Sequence, residues 1–214
     1  NPQVASVDEN GLVTARAEGQ ALITATSLEG GHSARLSLTV TQPLPVYRAL
    51  VMGEQRYTNG KKERIGATNT TQGIADLLGV QDYDGQRYQV TMRIDSTKRE
   101  FVESLGAVFA GAEETDVSLI YINCHGGLRM GEPYLEFHDG SSVTARQLEQ
   151  LTRKIPGRVI LLIDCCNSGG FLSAREARQF NSGMVQILTG EGATSLLQSK
   201  YLIMTSASVS QNSY

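Results

Sequence analysis

Beyond residue 46 the chain alternates apolar runs with stretches in which apolar residues recur every three or four positions. The runs at 117–122 and 159–163 are rich in Val, Ile and Leu, and such runs bounded by Gly predict buried strands of a parallel sheet; further strands are predicted at 46–52, 88–94 and 201–205. Three helices are predicted between them. Asn69 with Gln72 forms a capping pattern before Ile74, Leu77 and Leu78, with Gly79 as the stop. Thr97 with Glu100 opens a helix whose Phe101, Leu105, Val108 and Phe109 share one face. Thr144 with Gln147 caps a third, running to about Lys154 and ended by Pro156-Gly157. Residues 135–143, turning at Asp139-Gly140, suit a small hairpin. Strands alternating with helices give an α/β fold, a mostly parallel sheet with helices on its faces.

Residues 1–42 have a different rhythm. Short β-prone segments at 4–7, 12–15, 21–26 and 34–40 are separated by Asn10-Gly11, Glu18-Gly19 and Gly30-Gly31. Evenly spaced short strands joined by such turns predict a β-sandwich or part of one. Pro43 and Pro45 mark a stiff linker over 43–46, because proline removes backbone donors and fixes φ. Two domains are therefore expected, 1–42 and 47–214.

The 214 residues are 40% hydrophobic, enough for a core, and the net charge of -3 gives no electrostatic reason to expect nucleic acid. No run of eighteen apolar residues predicts a membrane span. The first residues lack a charged start and an apolar signal core, so the chain is expected to be a mature or trimmed product.

Candidate chemistry sits at the ends of two predicted strands. Cys124-His125-Gly126-Gly127 follows the run at 117–122, and Asp164-Cys165-Cys166-Asn167-Ser168-Gly169-Gly170 follows the run at 159–163. Adjacent parallel strands would deliver His125 and Cys166 to one carboxyl edge, where open α/β sheets place their sites. A thiol beside an imidazole is the minimum equipment for nucleophilic catalysis. The three cysteines, Cys124, Cys165 and Cys166, all cluster here, and an odd number argues against a complete disulfide framework. Together with His125 they are four zinc-competent side chains, but adjacent residues diverge, so no metal site is expected. Cys124 and Cys165 are expected to pack beneath the site, and His32 and His138 to be surface or packing residues.

A His-Gly pair ending one strand and an Asp-x-Cys segment ending the next resemble the caspase-like cysteine peptidases, the group of caspases, metacaspases, legumain, clostripain and gingipains. Metacaspases usually carry His where this chain has Asn167. The resemblance implies a caspase-like fold and a cysteine endopeptidase acting through an acyl-enzyme, with Cys166 as nucleophile and His125 as its acid and base. It further implies an oxyanion hole from the amides of Gly126 and Cys166. Asp164 would line the pocket for the first substrate side chain and select Arg or Lys, or else only tie down a loop. Asn123, Ser206, Ala207 and Ser208 would complete that pocket. A second pocket acid of some metacaspases would fall near Thr70, which is neutral.

Asn1-Pro2-Gln3-Val4-Ala5-Ser6-Val7-Asp8, Gly11-Leu12-Val13-Thr14-Ala15 and Gly19-Gln20-Ala21-Leu22-Ile23-Thr24-Ala25 resemble the second half of a bacterial immunoglobulin-like domain of the BIG2 type. That likeness implies a secreted or cell-surface bacterial protein. No cofactor is expected; calcium dependence occurs in parts of the peptidase group, but no loop reads as an EF-hand. The expected partner is a protein or peptide substrate, with a C-terminal fragment or second chain completing the peptidase domain beyond Tyr214. The rival reading is a catalytically degenerate binding module on a bacterial surface protein.

Overall fold

The computed structural model describes residues 1–83, 85–165, 182–187 and 200–205. The chain divides into two compact units, Asn1–Leu44 and Pro45–Tyr214.

In the first unit β1 (Ala5–Val7) pairs antiparallel with β2 (Val13–Ala15), and β3 (Gly19–Thr26) pairs antiparallel with β4 (Ser33–Val40). Val4, Ala5 and Ala21 are its buried apolar residues, with Leu38 and Val40 packed against them.

The second unit is built on a sheet whose described strands run β11 (Tyr201–Thr205), β10 (Arg158–Cys165), β7 (Val117–Arg129), β5 (Tyr47–Gly53), β6 (Gln89–Ile94). Every pairing along this path is parallel. The two-residue period of the strands sorts their side chains onto two faces. Leu50, Met52, Ile120, Ile122, Leu161 and Ile163 join a cluster with Phe101 and Leu105 of α2 (Lys98–Val108) and Leu148 of α3 (Ala145–Thr152). Ala49, Val51, Leu119 and Tyr121 pack with Ala75 and Leu78 of α1 (Ala67–Val80). This is the α/β arrangement that the pattern predicts, a mostly parallel sheet flanked by helices.

Both short-range caps form as their spacing predicts: Thr97 with Glu100 and Thr144 with Gln147 are reciprocal capping boxes. The pattern at Asn69 and Gln72 does not. Helix α1 begins earlier, at Ala67 after Gly66, and no side chain of its N-cap residue bonds to it. Gln55 Oε1, from the preceding loop, accepts from Thr68 N at 3.3 Å instead. Gly79 does not stop the helix either, which runs on to Val80.

Strand β7 is longer than its apolar run. It continues through His125 to Arg129 and turns at Met130-Gly131 to pair antiparallel with β8 (Glu132–Glu136), which in turn pairs with β9 (Ser142–Thr144). Gly157 sets the entry to β10. Its φ of +70° is left-handed, and an added Cβ would stand 2.5 Å from the Asp116 carbonyl oxygen.

Candidate active site

The carboxyl ends of β5, β7 and β10 lie side by side. Register pairs Asn123 with Gly53 on one side and Asp164 on the other, and pairs Cys124 with Cys165. Cys124 and Cys165 are buried, with their sulfurs 3.3 Å apart, and belong to the core cluster under one face. Burial and the neighbouring thiol push the Cys124 thiol well up, so it stays protonated.

His125 is buried, and three features of the loop 54–66 hold it. Its backbone N–H donates to the Tyr57 hydroxyl at 2.8 Å. The Tyr57 ring lies against the imidazole, centroids 4.5 Å apart. Its Nε2 is 2.8 Å from the Lys62 carbonyl oxygen, so Nε2 carries a proton and donates. Burial lowers the His125 pKa from its ordinary value, with the cations of Arg64 and Lys61 also lowering it against the opposing effect of the Lys62 carbonyl and Glu136. The imidazole is therefore neutral at neutral pH, and its tautomer is set by the carbonyl.

Gly126 and Gly127 extend the strand past His125, opposite Leu135 and Tyr134. Gly127 is required sterically, because a Cβ there would meet the Tyr134 ring at 2.6–2.7 Å.

A second group of polar residues surrounds Asp164. Tyr121 donates its hydroxyl to Asp164 Oδ2 at 3.0 Å, and Asn123 Nδ2 donates to the Tyr121 hydroxyl oxygen at 3.3 Å. Arg64, itself buried, donates from Nε and Nη2 to Asn123 Oδ1 at 3.0 and 2.6 Å. It also reaches the Asp164 carbonyl at 3.4 Å. Burial next to the Asp164 carboxylate pushes the Tyr121 phenol up, which keeps it a donor. Asn123 is thus held in a buried network, tied to Arg64 and Tyr121.

Glu54, fully buried at the end of β5, completes the surroundings. Its Oε2 accepts from the backbone N–H of Ser96 at 2.9 Å and of His138 at 3.2 Å, while Oε1 is buried without a hydrogen-bond partner among the described residues. Desolvation raises its pKa to about 8, so the group is a neutral acid at neutral pH. His138 is half-buried, with its Nδ1 likewise unpartnered among the described residues.

His125, Gly126, Asn123 and Asp164 therefore gather at one sheet edge. Cys166, Ser206, Ala207 and Ser208 lie outside the described residues. Among the described residues no three His, Cys, Asp or Glu converge to hold a metal ion. Thr70 is exposed on α1, its hydroxyl bonded to the Gly66 carbonyl. Sequence reasoning missed Tyr57, the Lys62 carbonyl, Arg64, Tyr121 and Glu54, most of them in or beside a segment whose polarity alone reads as an ordinary loop.

The caspase domain family model matches residues 47–214, and the bacterial Ig-like domain (group 2) matches residues 1–38. No curated protein matches the chain. Among solved structures, a protein of Geobacter sulfurreducens is similar at 17% identity and a TM-score of 0.52, covering 64% of this chain and 56% of that one. The Drosophila initiator caspase Dronc is similar at 18% identity and 0.45, covering 57% and 49%. Caspase-1 of Spodoptera frugiperda is similar at 16% and 0.46, covering 59% and 53%. The chain spans about half the length of the structures it matches.

Proposed function

The chain belongs to the caspase domain family, and we propose that it is a cysteine endopeptidase that cleaves protein or peptide substrates after a basic residue, using Cys166 and His125. The observation that carries this reading is the pairing of Cys124 with Cys165 on two adjacent parallel strands, because His125 and Cys166 are the residues that follow them in sequence.

The chemistry follows from the imidazole. With Nε2–H donated to the Lys62 carbonyl, Nδ1 is the atom that takes the Cys166 thiol proton. The thiolate adds to the scissile carbonyl carbon, and backbone amides at Gly126 and Cys166 stabilise the oxyanion, each such donor contributing about 3 kcal/mol. The imidazolium then protonates the departing amine, leaving a thioester that water hydrolyses. Neutral His125 suits the first step, since a protonated ring has no acceptor.

Asp164 supports selection of Arg or Lys, since a carboxylate at this edge can pair with a substrate cation, an interaction that a hydrocarbon analogue does not offer. A second specificity reading is favoured by Arg64, a buried guanidinium at the same edge, which suits an acidic residue before the cut bond. The Ig-like match supports a bacterial cell-surface or secreted setting. No helix among the described residues is long and apolar enough to cross a membrane.

Hydrolysis of a matched set of fluorogenic peptides ending in Arg, Lys, Asp or Ala tests the proposal. Preference for Arg and Lys, lost in Cys166→Ala and His125→Ala, is the expected result. Preference for Asp would transfer specificity to Arg64. Hydrolysis undiminished in Cys166→Ala would overturn the mechanism.

A further inference from the structure

The loop 54–66 is anchored to the β7–β8 ribbon by an ion pair placed directly beside the His125 contact. Register sets Glu136 of β8 opposite His125 of β7. The Glu136 carboxylate is 5% exposed and accepts from Asn59 Nδ2 at 2.8 Å and from Lys61 Nζ at 2.5 Å. The residue after Lys61 is Lys62, whose carbonyl accepts from His125 Nε2. We propose that Lys61 and Glu136 form a clamp that holds the Lys62 carbonyl on His125, making both of them positioning residues for the imidazole. This rests on the peptidase reading for its catalytic consequence alone.

The physical case is one of distance and freedom. Consecutive Cα atoms are about 3.8 Å apart, so fixing the Lys61 side chain limits where the Lys62 carbonyl can go. The segment is tied at Thr58, whose N–H donates to the His138 carbonyl at 2.9 Å, and at Arg64 on Asn123; between those points Asn59 and Lys61 both reach Glu136, while Gly60, with a φ of +82°, Lys62 and Glu63 are exposed. The other loop contact with His125, through Tyr57, fixes its backbone and ring face but does not touch Nε2. Only the Lys62 carbonyl, among the contacts described, specifies which ring nitrogen is protonated. Glu136 is nearly buried, so it is stabilised by keeping its cation, and the clamp stays closed.

The test follows the tautomer of His125 in the full chain labelled with 15N-histidine, using His125→Gln to assign the signal. The wild type is expected to hold the neutral Nε2–H form. Lys61→Met should shift the ring to a mixture of tautomers, and Lys61→Arg should restore the wild-type spectrum. A Lys61→Met protein that is folded and still holds the single Nε2–H form would overturn the clamp; if Lys61→Met does not fold, Lys61→Gln is judged by the same criterion. In hydrolysis, Lys61→Met should lose at least about tenfold in kcat with KM nearly unchanged, as expected for a misplaced catalytic group. A wild-type protein that hydrolyses no peptide counts against the peptidase reading, and the tautomer comparison decides the clamp independently.

Discussion

Glu54→Gln tests the electrostatics of the site edge without touching its proposed chemistry. The carboxyl is fully buried, and desolvation raises its pKa from 4.5 to about 8, partly opposed by two backbone donors on Oε2. The folded state therefore holds this proton more tightly than the unfolded chain. Stability from this source is complete below the unfolded pKa and is lost as pH rises toward about 8. At about 1.4 kcal/mol per pH unit, the span from 4.5 to about 8 corresponds to roughly 5 kcal/mol, of which about 4 falls between pH ~5 and pH ~9. Glutamine has nearly the shape of the protonated acid and can still accept from Ser96 and His138, but it has no proton to lose. Urea denaturation of both proteins at the two pH values isolates the effect, because every other titrating group is common to them. Glu54→Gln should gain about 4 kcal/mol relative to wild type on going from the lower pH to the higher. A difference that does not change with pH would show that Glu54 ionises as an ordinary carboxyl and would refute the reasoning.

Three further outcomes follow from single contacts. Tyr57→Phe keeps the ring against His125 but leaves the buried His125 N–H without its acceptor, and should cost about 1–3 kcal/mol by chemical denaturation; no loss would mean the N–H finds another partner. Gly157→Ala combines a left-handed φ with a 2.5 Å approach to the Asp116 carbonyl and should cost about 2 kcal/mol or more, visible as a lowered Tm; an unchanged Tm would refute the strain. Asp164→Asn can still accept from Tyr121, so unfolding should change little, while kcat/KM for Arg peptides falls by the equivalent of about 2 kcal/mol or more; equal loss on Ala peptides would remove Asp164 from substrate selection.

The two motif-bearing strands were legible because parallel strands buried on both faces are nearly continuously apolar, as at 159–163 and, but for Ser118, at 117–122. The capping boxes at Thr97 and Thr144 were legible because donor and acceptor lie three residues apart. The start of α1 was not, since its first turn is served by Gln55, thirteen residues before Thr68. Nor was the reach of β7 to Arg129, where Asn123 to Gly127 lack any apolar alternation and the strand persists through pairing with β8. The surroundings of His125 were the least legible. Tyr57 and Lys62 contact it from 68 and 63 residues away, and Arg64 meets Asn123 across 59. A backbone carbonyl such as that of Lys62 leaves no mark on residue type at all.

The central claim is that Cys166 is a nucleophile activated by His125, and an irreversible thiol-reactive peptidyl probe ending in Arg tests it most directly. Peptide mapping of the labelled wild-type chain should find the adduct on Cys166 alone, with labelling abolished in Cys166→Ala and strongly slowed in His125→Ala. Labelling on Cys124 or Cys165, or labelling of Cys166 at an unchanged rate in His125→Ala, would contradict the account.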